Sequence, residues 1–403
     1  MKILILGAGV YQVPLIRRAK ARGLYTIVAS TPGNYPGFSL ADQVYYVNTT
    51  DKEAILKIAR EEKIDAITTT GTDVAVVSIG YVCSEMRLPG INADAAVILT
   101  DKALMKEAFQ HGDVTTAPFR RVTSIEEARK AVEAIGLPAV LKIVDKSGSR
   151  GITKITDLSQ LQDAYAYATA ATNADHMLVE QFIDGREIGI DAFVQNGELK
   201  LMLPHDKYVY HTGHTGIPIG HYCPMAFSER LYAVMRSETE KIIHGIGIDN
   251  CAVNIDAFVC ADERVFIIEA AGRCGATGIP EVISGYTGCN YYDSILDNAL
   301  GIQTDSFSVS EGTPTASLLL LSEKAGRLKE IRYCFAGKEY CNTDAELEGF
   351  GRVELSFQPG DEIHAFQNGT DRIGQAVFYG KTAEALQQTV ERFRAGVRIE
   401  VEE

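Results

Sequence analysis

Three patterns that would define other protein classes are absent from this sequence. None of its eight cysteines forms a C-x-x-C pair, which argues against a zinc ribbon or a dithiol redox site. No apolar run approaches the roughly 18 to 20 residues that a membrane-spanning helix requires. The first apolar run stops at Gly7, before the paired Arg17 and Arg18, and so predicts a buried strand instead of a signal peptide. We therefore expect a cytoplasmic protein with reduced, mostly buried thiols and no membrane partner.

Positive charge is also scarce. The sequence has 39 Lys and Arg against 53 Asp and Glu, which gives a formal charge of -14 and a pI of about 5.1. This balance argues against a surface for nucleic acid or anionic lipid and favours small-molecule ligands. With 46% hydrophobic and 23% charged residues, the composition is that of a folded globular protein. A length of 403 residues predicts two or three domains.

The N-terminal part, to about Asn92, alternates between strand and helix patterns. Strands are predicted near residues 2–6, 26–30 and 65–69, and Thr50-x-x-Glu53 is a capping box that opens a helix over residues 51–62. Such alternation predicts a parallel sheet with helices on both faces, as in Rossmann-like α/β domains.

The order of predicted helices and strands changes after residue 100. Thr100 and Ser124 are each expected to cap a helix, the second of which ends at Gly136. Residues 139–199 predict a small antiparallel sheet carrying helices, an α+β unit, and Ser228 begins a long helix followed by two apolar strands. The tail is read as mostly strands with a final helix. We expect three domains, namely 1–99, 100–312 with a lid at about 118–185, and an α+β, mostly-β domain at 313–403.

The first candidate ligand site is the turn Gly7-Ala8-Gly9, between a predicted strand and a predicted helix. Glycines there let the backbone approach an anion at a helix N-terminus. However, Gln12 replaces the third glycine of the dinucleotide-binding pattern, and no acidic residue ends the second strand. Both a tight structural turn and a ligand contact remain open.

A second glycine-containing loop is more specific. Ser147, Gly148, Ser149 and Gly151 lie between two predicted strands, and Lys142 is on the strand before them. Backbone N–H groups and hydroxyls in such a loop can fold over phosphates, to which a lysine adds a point charge. An ordinary flexible turn is the alternative.

Carboxylates follow in two places. Glu180 and Glu187 flank a segment whose alternating apolar residues can clasp a flat ring, and Asp256 and Glu269 fall on adjacent predicted strands. Two carboxylates aimed at one point repel each other unless a cation lies between them. Hard oxygen ligands beside phosphate suit Mg²⁺.

The order of these parts over residues 100–300 resembles the ATP-grasp superfamily, specifically its carboxylate-amine ligases. The resemblance implies an ATP-grasp fold in which the small sheet is a lid and ATP and Mg²⁺, or Mn²⁺ as the alternative ion, are bound. The roles that it implies are phosphate contacts from Lys102, Lys142 and the 147–151 loop, an adenine amino contact from Glu180, ring-edge contacts from Gln181, Phe182 and Ile183, ribose contacts from Glu187, metal binding by Asp256 and Glu269, and a carboxylate or acyl-phosphate contact from Arg273.

One residue departs from this family pattern. Where the family commonly has Glu-x-Asn-x-Arg, this sequence has Ala271 between Glu269 and Arg273. Alanine cannot coordinate a metal ion. Either one ion is held more loosely, another residue such as Asn254 substitutes, or catalysis is impaired.

Residues that select the substrate are expected in the less regular segments. His205 and His214 belong to a stretch, residues 205–221, that contains four of the eight histidines. We interpret it as a mobile polar loop that orients substrate, with a metal-binding histidine cluster as the alternative. Asp73, Thr277 and Gly278 are further candidates, for which simple turn structure is the alternative reading.

The sequence thus predicts an ADP-forming enzyme that activates a small carboxylate as an acyl phosphate and joins it to an amine. The segment from Gly369 to Gly374 resembles the C-terminal domain of amino-acid ligases, which favours an amino acid as the acid. A carboxylase that uses bicarbonate and a catalytically impaired nucleotide-binding module are the alternatives. The resemblance allows a homodimer, and the sequence leaves both substrates open.

Overall fold

The computed structural model describes residues 1–145, 151–211, 216–304, 307 and 312–402. Its strands, in chain order, are β1 (Lys2–Leu6), β2 (Tyr25–Ser30), β3 (Gln43–Tyr46), β4 (Ala66–Thr68), β5 (Phe119–Val122), β6 (Ala139–Ile143), β7 (Ile152–Ile155), β8 (Met177–Gln181), β9 (Arg186–Gln195), β10 (Glu198–His211), β11 (Gly216–Cys223), β12 (Cys251–Val259), β13 (Val265–Ala271), β14 (Thr315–Leu320), β15 (Gly326–Phe335), β16 (Lys338–Cys341), β17 (Ala345–Glu346), β18 (Gly351–Leu355), β19 (Glu362–Ile363), β20 (Gly374–Tyr379) and β21 (Arg398–Glu402).

The α-helices surround the sheets. In chain order they are α1 (Val13–Ala21), α2 (Lys52–Glu62), α3 (Val76–Met86), α4 (Ala93–Ile98), α5 (Lys102–His111), α6 (Ile125–Ile135), α7 (Leu161–Ala171), α8 (Glu229–Ile246), α9 (Ile279–Thr287), α10 (Tyr291–Ala299) and α11 (Ala383–Gly396). Within the described residues, none of them is long and apolar enough to cross a membrane.

The N-terminal sheet is parallel, as predicted, with the strand order β3-β2-β1-β4. Alternate residues of β1 enter different cores: Leu4 and Leu6 pack in one cluster, Ile3 and Ile5 in another. Burial on both faces explains why this strand is an unbroken apolar run.

Two helix caps were predicted one residue too early. Asp51, not Thr50, caps α2 by accepting a hydrogen bond from the N–H of Ala54. Likewise Asp101, not Thr100, caps α5. A carboxylate adds charge stabilisation at the positive end of the helix, which a threonine hydroxyl cannot supply.

The small sheet is antiparallel with the order β5-β8-β6-β7, and α6 and α7 pack against it. The strands and the helix predicted after residue 139 are confirmed, and the turn predicted between the two strands lies outside the described residues. The segment that contains β9 was wrongly grouped with them, because β9 pairs with β10 and β12 of the largest sheet.

That largest sheet joins the central region to the tail. Over the described residues its order is β13-β12-β9-β10-β11-β14-β20-β18-β17. Strands β9, β10, β12 and β13 present charged residues from their alternate positions, while β14 and β20 carry the apolar core of the tail. Glu269 of β13 interacts electrostatically with Lys142 of the small sheet, and this region forms the candidate site.

Candidate functional site

A buried glutamate on the small sheet contacts two lysines. Glu180 on β8 and Lys142 on β6 come from paired strands, and Lys142 Nζ lies 2.6 Å from Glu180 Oε1. Lys106 Nζ, from α5, lies 3.3 Å from Glu180 Oε2. Burial alone would raise the pKa of Glu180, but the two ammonium groups hold it below its usual value. Burial lowers the pKa of Lys106 to about 8 in spite of Glu180. Glu180 is therefore an acceptor held in place by cations.

Asp256 and Glu269 face each other across β12 and β13 as directly paired residues. Their side chains are 28% and 35% exposed, so both reach the surface of a cleft. Burial raises the pKa of Asp256, and Glu269 reinforces that effect although Lys207 opposes it. Burial would also raise the pKa of Glu269, but Lys102 above all brings it down to about 2. Two carboxylates aimed at one point fit a divalent cation that completes its shell with phosphate oxygens and water.

Each carboxylate of this pair forms a salt bridge with a lysine. Lys102 Nζ lies 3.2 Å from Glu269 Oε2. Lys207 Nζ lies 2.8 Å from Asp256 Oδ1 and 2.6 Å from Glu187 Oε1. The residues expected to hold metal, phosphate and ribose are thus brought together around one cleft.

Ala271 lies directly opposite Asn254 in the ladder between β12 and β13. An amide oxygen is therefore available on the neighbouring strand, beside the position where the family pattern has one. Arg273 Nη1 donates to Asn254 Oδ1 at 3.2 Å, and Arg273 Nε donates to Asp73 Oδ1 at 2.8 Å. Asp73 and Arg273, predicted from separate parts of the sequence, form one ion pair.

Asp191, which is fully buried on β9, anchors this corner. It accepts hydrogen bonds from Asn254 Nδ2 at 3.0 Å and from the N–H of Gly275 at 3.2 Å. His205 Nε2 lies 3.0 Å from Asp191 Oδ2, the same oxygen that accepts from Asn254. One carboxylate therefore links the strand of Asn254 to the loop that follows Arg273.

The expected mobile loop at residues 205–221 is wrong for its described residues, which form paired strands β10 and β11. His205 is 1% exposed and packs edge-on against His221, with ring centroids 4.9 Å apart. Burial, helped by His205 and Lys207, lowers the pKa of His221 well below its usual value. Within the described residues no cluster of three or more His, Cys, Asp or Glu could hold an ion, so the histidine-cluster alternative gains no support. His214 lies outside these residues.

The loop after Arg273 lines a cavity of about 510 Å³. Thr277 and Gly278 both have positive φ, of 59° and 81°, and Gly278 precedes α9. A Cβ on Gly278 would lie 2.4 Å from the Ser317 side chain, so glycine is required there. Charged walls of both signs come from three parts of the chain: Arg17, Glu281, Glu346, Arg352, Glu354 and Arg372.

Arg372 is, like Glu281, one of the buried charges of this set. It is 8% exposed, its guanidinium lies 4.8 Å from the ring centroid of Tyr11, and its Nη1 donates to Gln375 Oε1 at 2.7 Å. Its buried Nε has no hydrogen-bond partner among the described residues. An arginine in this setting can receive an anionic group from the cavity.

The turn at Gly7 is closed by a side chain. Gly7 has φ of 96°, and Gln12 Oε1 accepts a hydrogen bond from the N–H of Gly9 at 3.0 Å. The amide nitrogen of Gln12 donates to the carbonyl of Thr70. Because Gln12 already takes the N–H group that an anion would need, the structure favours a tight structural turn.

Other predicted positions can be placed in part. Ser147, Gly148 and Ser149 lie outside the described residues. Gly151, with φ of 66°, immediately precedes β7. Gln181 ends β8, and Lys154 Nζ lies 3.5 Å from the ring centroid of Phe182. Ile183 follows on the connection to β9.

Sequence reasoning assigned no role to Lys106, Asp191 or Lys207. Each had a signal. Lys106 stands four residues after Lys102, on the same helix face. Asp191 interrupts the apolar run of β9, and Lys207 follows the apolar half of β10. A charge within an apolar strand requires a partner, and here the partners are the site's own acids and amides.

Comparison with known proteins agrees with this geometry. A model of the ATP-grasp domain matches residues 135–281, and a model of L-amino acid ligase C-terminal domain 2 matches residues 341–402. Alanine–anticapsin ligase from Bacillus subtilis (strain 168) is 27% identical over 254 residues, which are 57% of this chain and 53% of that protein. The chain thus matches about half the length of that relative.

Two solved structures share the whole fold. Phosphoribosylglycinamide synthetase from Anaerococcus prevotii is 29% identical, with a TM-score of 0.83 over 100% of this chain and 99% of that one. L-amino acid ligase from Bacillus licheniformis superimposes with a TM-score of 0.80 over the same shares at 16% identity, which shows the fold alone. The chain therefore contains an ATP-grasp domain, matched over residues 135–281, and an L-amino acid ligase C-terminal domain, matched over residues 341–402, and it is similar over its whole length to solved ATP-grasp ligases.

Proposed function

We propose that this protein uses ATP to activate a small carboxylate, an amino acid or a similar acid, and joins it to an amine with release of ADP and phosphate. The observation that carries the proposal is the cluster in which Asp256 and Glu269 are paired across two strands, with the positive charges of Lys102 and Lys142 acting on Glu269. Arg273 connects this cluster to the loop that lines the cavity.

The residue roles follow from charge. Lys102 and Lys142 supply positive charge to phosphate oxygens, and Glu187 is placed for ribose hydroxyls. Asp256 and Glu269, with Asn254 beside them, would hold Mg²⁺, which when bound neutralises charge on the transferring phosphoryl group. Arg273 fixes the substrate carboxylate next to that group, since a guanidinium recognises a carboxylate through paired hydrogen bonds.

Water has to be excluded while the activated acid exists. An acyl phosphate reacts with water as well as with an amine, so its lifetime depends on a closed site. The small sheet carries Lys142 and Glu180 and is proposed as the lid. The division into 1–99, 100–312 and 313–403 is retained as a proposal, with the largest sheet joining the last two parts.

The cavity supports a substrate that bears both charges. Its walls combine three arginines with several carboxylates, which suits a zwitterion such as an amino acid. Two of the similar proteins are named for amino-acid substrates: one is an alanine–anticapsin ligase and the other is an L-amino acid ligase. We therefore place the organic substrates in this cavity.

The test is ADP release from Mg-ATP against pools of amino acids and other carboxylic acids. Hydroxylamine is included so that an acyl phosphate is trapped as a hydroxamate. The proposal predicts that at least one pool gives both ADP and hydroxamate. ADP release that depends on bicarbonate alone would replace the proposal with a carboxylase. ATP binding without ADP release from any pool would indicate a non-catalytic nucleotide-binding protein.

A further inference from the structure

Lys207 is a buried lysine that contacts two carboxylates of the proposed nucleotide site. Its side chain is 3% exposed, yet its ammonium contacts both Glu187, at 2.6 Å, and Asp256, at 2.8 Å. The three residues come from adjacent strands β9, β10 and β12, in which Gly189 pairs with both His205 and Asp256. The sheet register therefore fixes this contact.

The contact engages an acid that is proposed to bind metal. Lys207 Nζ lies within ion-pair distance of the Asp256 carboxylate, so its ammonium is the counterion of that acid. Lys102 stands in the same relation to Glu269, at 3.2 Å. Each acid of the facing pair thus has its own lysine counterion.

A divalent cation and an ammonium compete for such a carboxylate. Both need its lone pairs, and two positive charges a few ångströms apart in a partly desolvated cleft repel each other. A lysine has a flexible four-carbon stem and can move, whereas the backbone of Asp256 is fixed in the ladder. Glu187, the second partner, can keep the ammonium in the cleft after it leaves Asp256.

We propose that Lys207 is an exchangeable counterion of the nucleotide site. It neutralises Asp256 until a divalent cation takes that carboxylate, and its released N–H group then binds an oxyanion of the nucleotide. This inference rests on the proposed role of Asp256 as a metal ligand. It gives Lys207 two opposite effects: it opposes the metal ion in the free protein and supports the nucleotide in the complex.

The test measures binding, not turnover. Mn²⁺ binding to the nucleotide-free protein is titrated by electron paramagnetic resonance, and Mg-ADP binding by calorimetry. Lys207→Met is expected to bind Mn²⁺ at least about tenfold more tightly and Mg-ADP at least about tenfold more weakly than the wild type. Lys207→Arg keeps the charge and is expected to stay close to the wild type in both. Lys207→Gln keeps a hydrogen-bond donor without the charge, and it is expected to show both shifts if Lys207→Met does not fold.

Unchanged or weaker Mn²⁺ binding in a folded uncharged variant would overturn the proposal, because loss of a competitor must strengthen binding. Asp256→Asn separates this failure from failure of the proposed function. If Asp256→Asn lowers Mn²⁺ affinity and the uncharged Lys207 variants do not raise it, only the exchange is wrong. If Asp256→Asn leaves Mn²⁺ affinity unchanged with and without ADP, the metal site itself is wrong.

Discussion

At the scale of single residues, the site depends on acids that are held between cations. Glu269 is the clearest case, because Lys102 brings its pKa down to about 2 against the effect of burial. Its carboxylate is therefore ionised at any pH at which the protein is assayed. An ionised acid beside Asp256 offers a metal ion two negative oxygens from one row of the sheet.

Glu269→Gln is expected to lower kcat by about 10³-fold with little change in the melting temperature. The amide keeps the shape but removes the charge that a divalent cation requires, and the partly exposed side chain adds little to stability. Steady-state kinetics and thermal unfolding measure the two effects. Glu330→Gln, which alters an acid paired with Arg332 on β15, is the matched control and should keep full activity. Full activity in Glu269→Gln would refute the assigned role.

Asn254 is expected to replace the missing metal-binding side chain at position 271. Asn254→Ala should reduce kcat about tenfold to a hundredfold at fixed Mg²⁺ and raise the Mg²⁺ concentration needed for half-maximal rate. Adding Ala271→Asn to that variant should restore part of the rate, since the two positions are direct cross-strand partners. A double variant no better than the single one would show that the amide acts only through Arg273.

At the scale of elements, short polar contacts fix how strands and helices meet. Asp42, just before β3, accepts hydrogen bonds from Lys20 Nζ at 2.5 Å and from the N–H and hydroxyl of Thr26 at 2.9 and 2.8 Å. The bond from Lys20, followed by those from Thr26, lowers the pKa of Asp42 to about 2. This carboxylate ties α1, β2 and β3 together.

The stabilisation from Asp42 should depend on pH in a defined direction. Since the folded protein favours the ionised form, the stabilisation is complete above the ordinary pKa near 3.9 and is lost as the pH falls toward about 2. Asp42→Asn is expected to cost about 1 kcal/mol at pH 7, because the group is partly exposed and screened by solvent. Urea unfolding should show that the free energies of unfolding of the wild type and Asp42→Asn differ less at pH 3 than at pH 7. An equal difference at both values would contradict the assignment, and Asp113→Asn is the exposed control.

At the scale of the whole molecule, the proposed substrate cavity is assembled from distant parts of the chain. Tyr11, Glu281 and Arg372 meet there although the shortest separation between any two of them is 91 residues. No local pattern predicts such a meeting. The linear sequence therefore indicates the chemistry of activation better than it indicates the acid that is activated.

Arg372→Met is expected to raise the KM of the organic substrate at least about tenfold while changing the KM of ATP by less than about twofold. Arg372 lines the cavity, whereas the residues proposed to bind the nucleotide, such as Lys102 and Lys142, are not among its lining residues. Arg327→Met, on the exposed face of β15, is the control. Equal changes in both KM values would mean that Arg372 acts on the fold and not on the substrate.

Local physics explains which features were predictable. The parallel sheet, the helix from Ser228 and the pairing of Asp256 with Glu269 follow from periodicity and spacing, which depend on neighbouring residues. Gln12 was noticed only as a missing glycine, because its role requires Thr70 from another strand. Asp191 and Lys207 were missed for the same reason, since the partners that make their burial tolerable come from other strands.

The central claim is that the γ-phosphoryl group of ATP is transferred to the substrate carboxylate before phosphate is released. Isotope transfer tests this claim most directly. The acid identified by the pooled screen is labelled with ¹⁸O in its carboxylate, and the phosphate released during turnover with the amine is analysed by mass spectrometry. The account predicts one ¹⁸O atom in each phosphate, because the acyl phosphate breaks with the carboxylate oxygen on phosphorus. Unlabelled phosphate formed together with the amide product, with the displaced ¹⁸O recovered in AMP or in water, would contradict it.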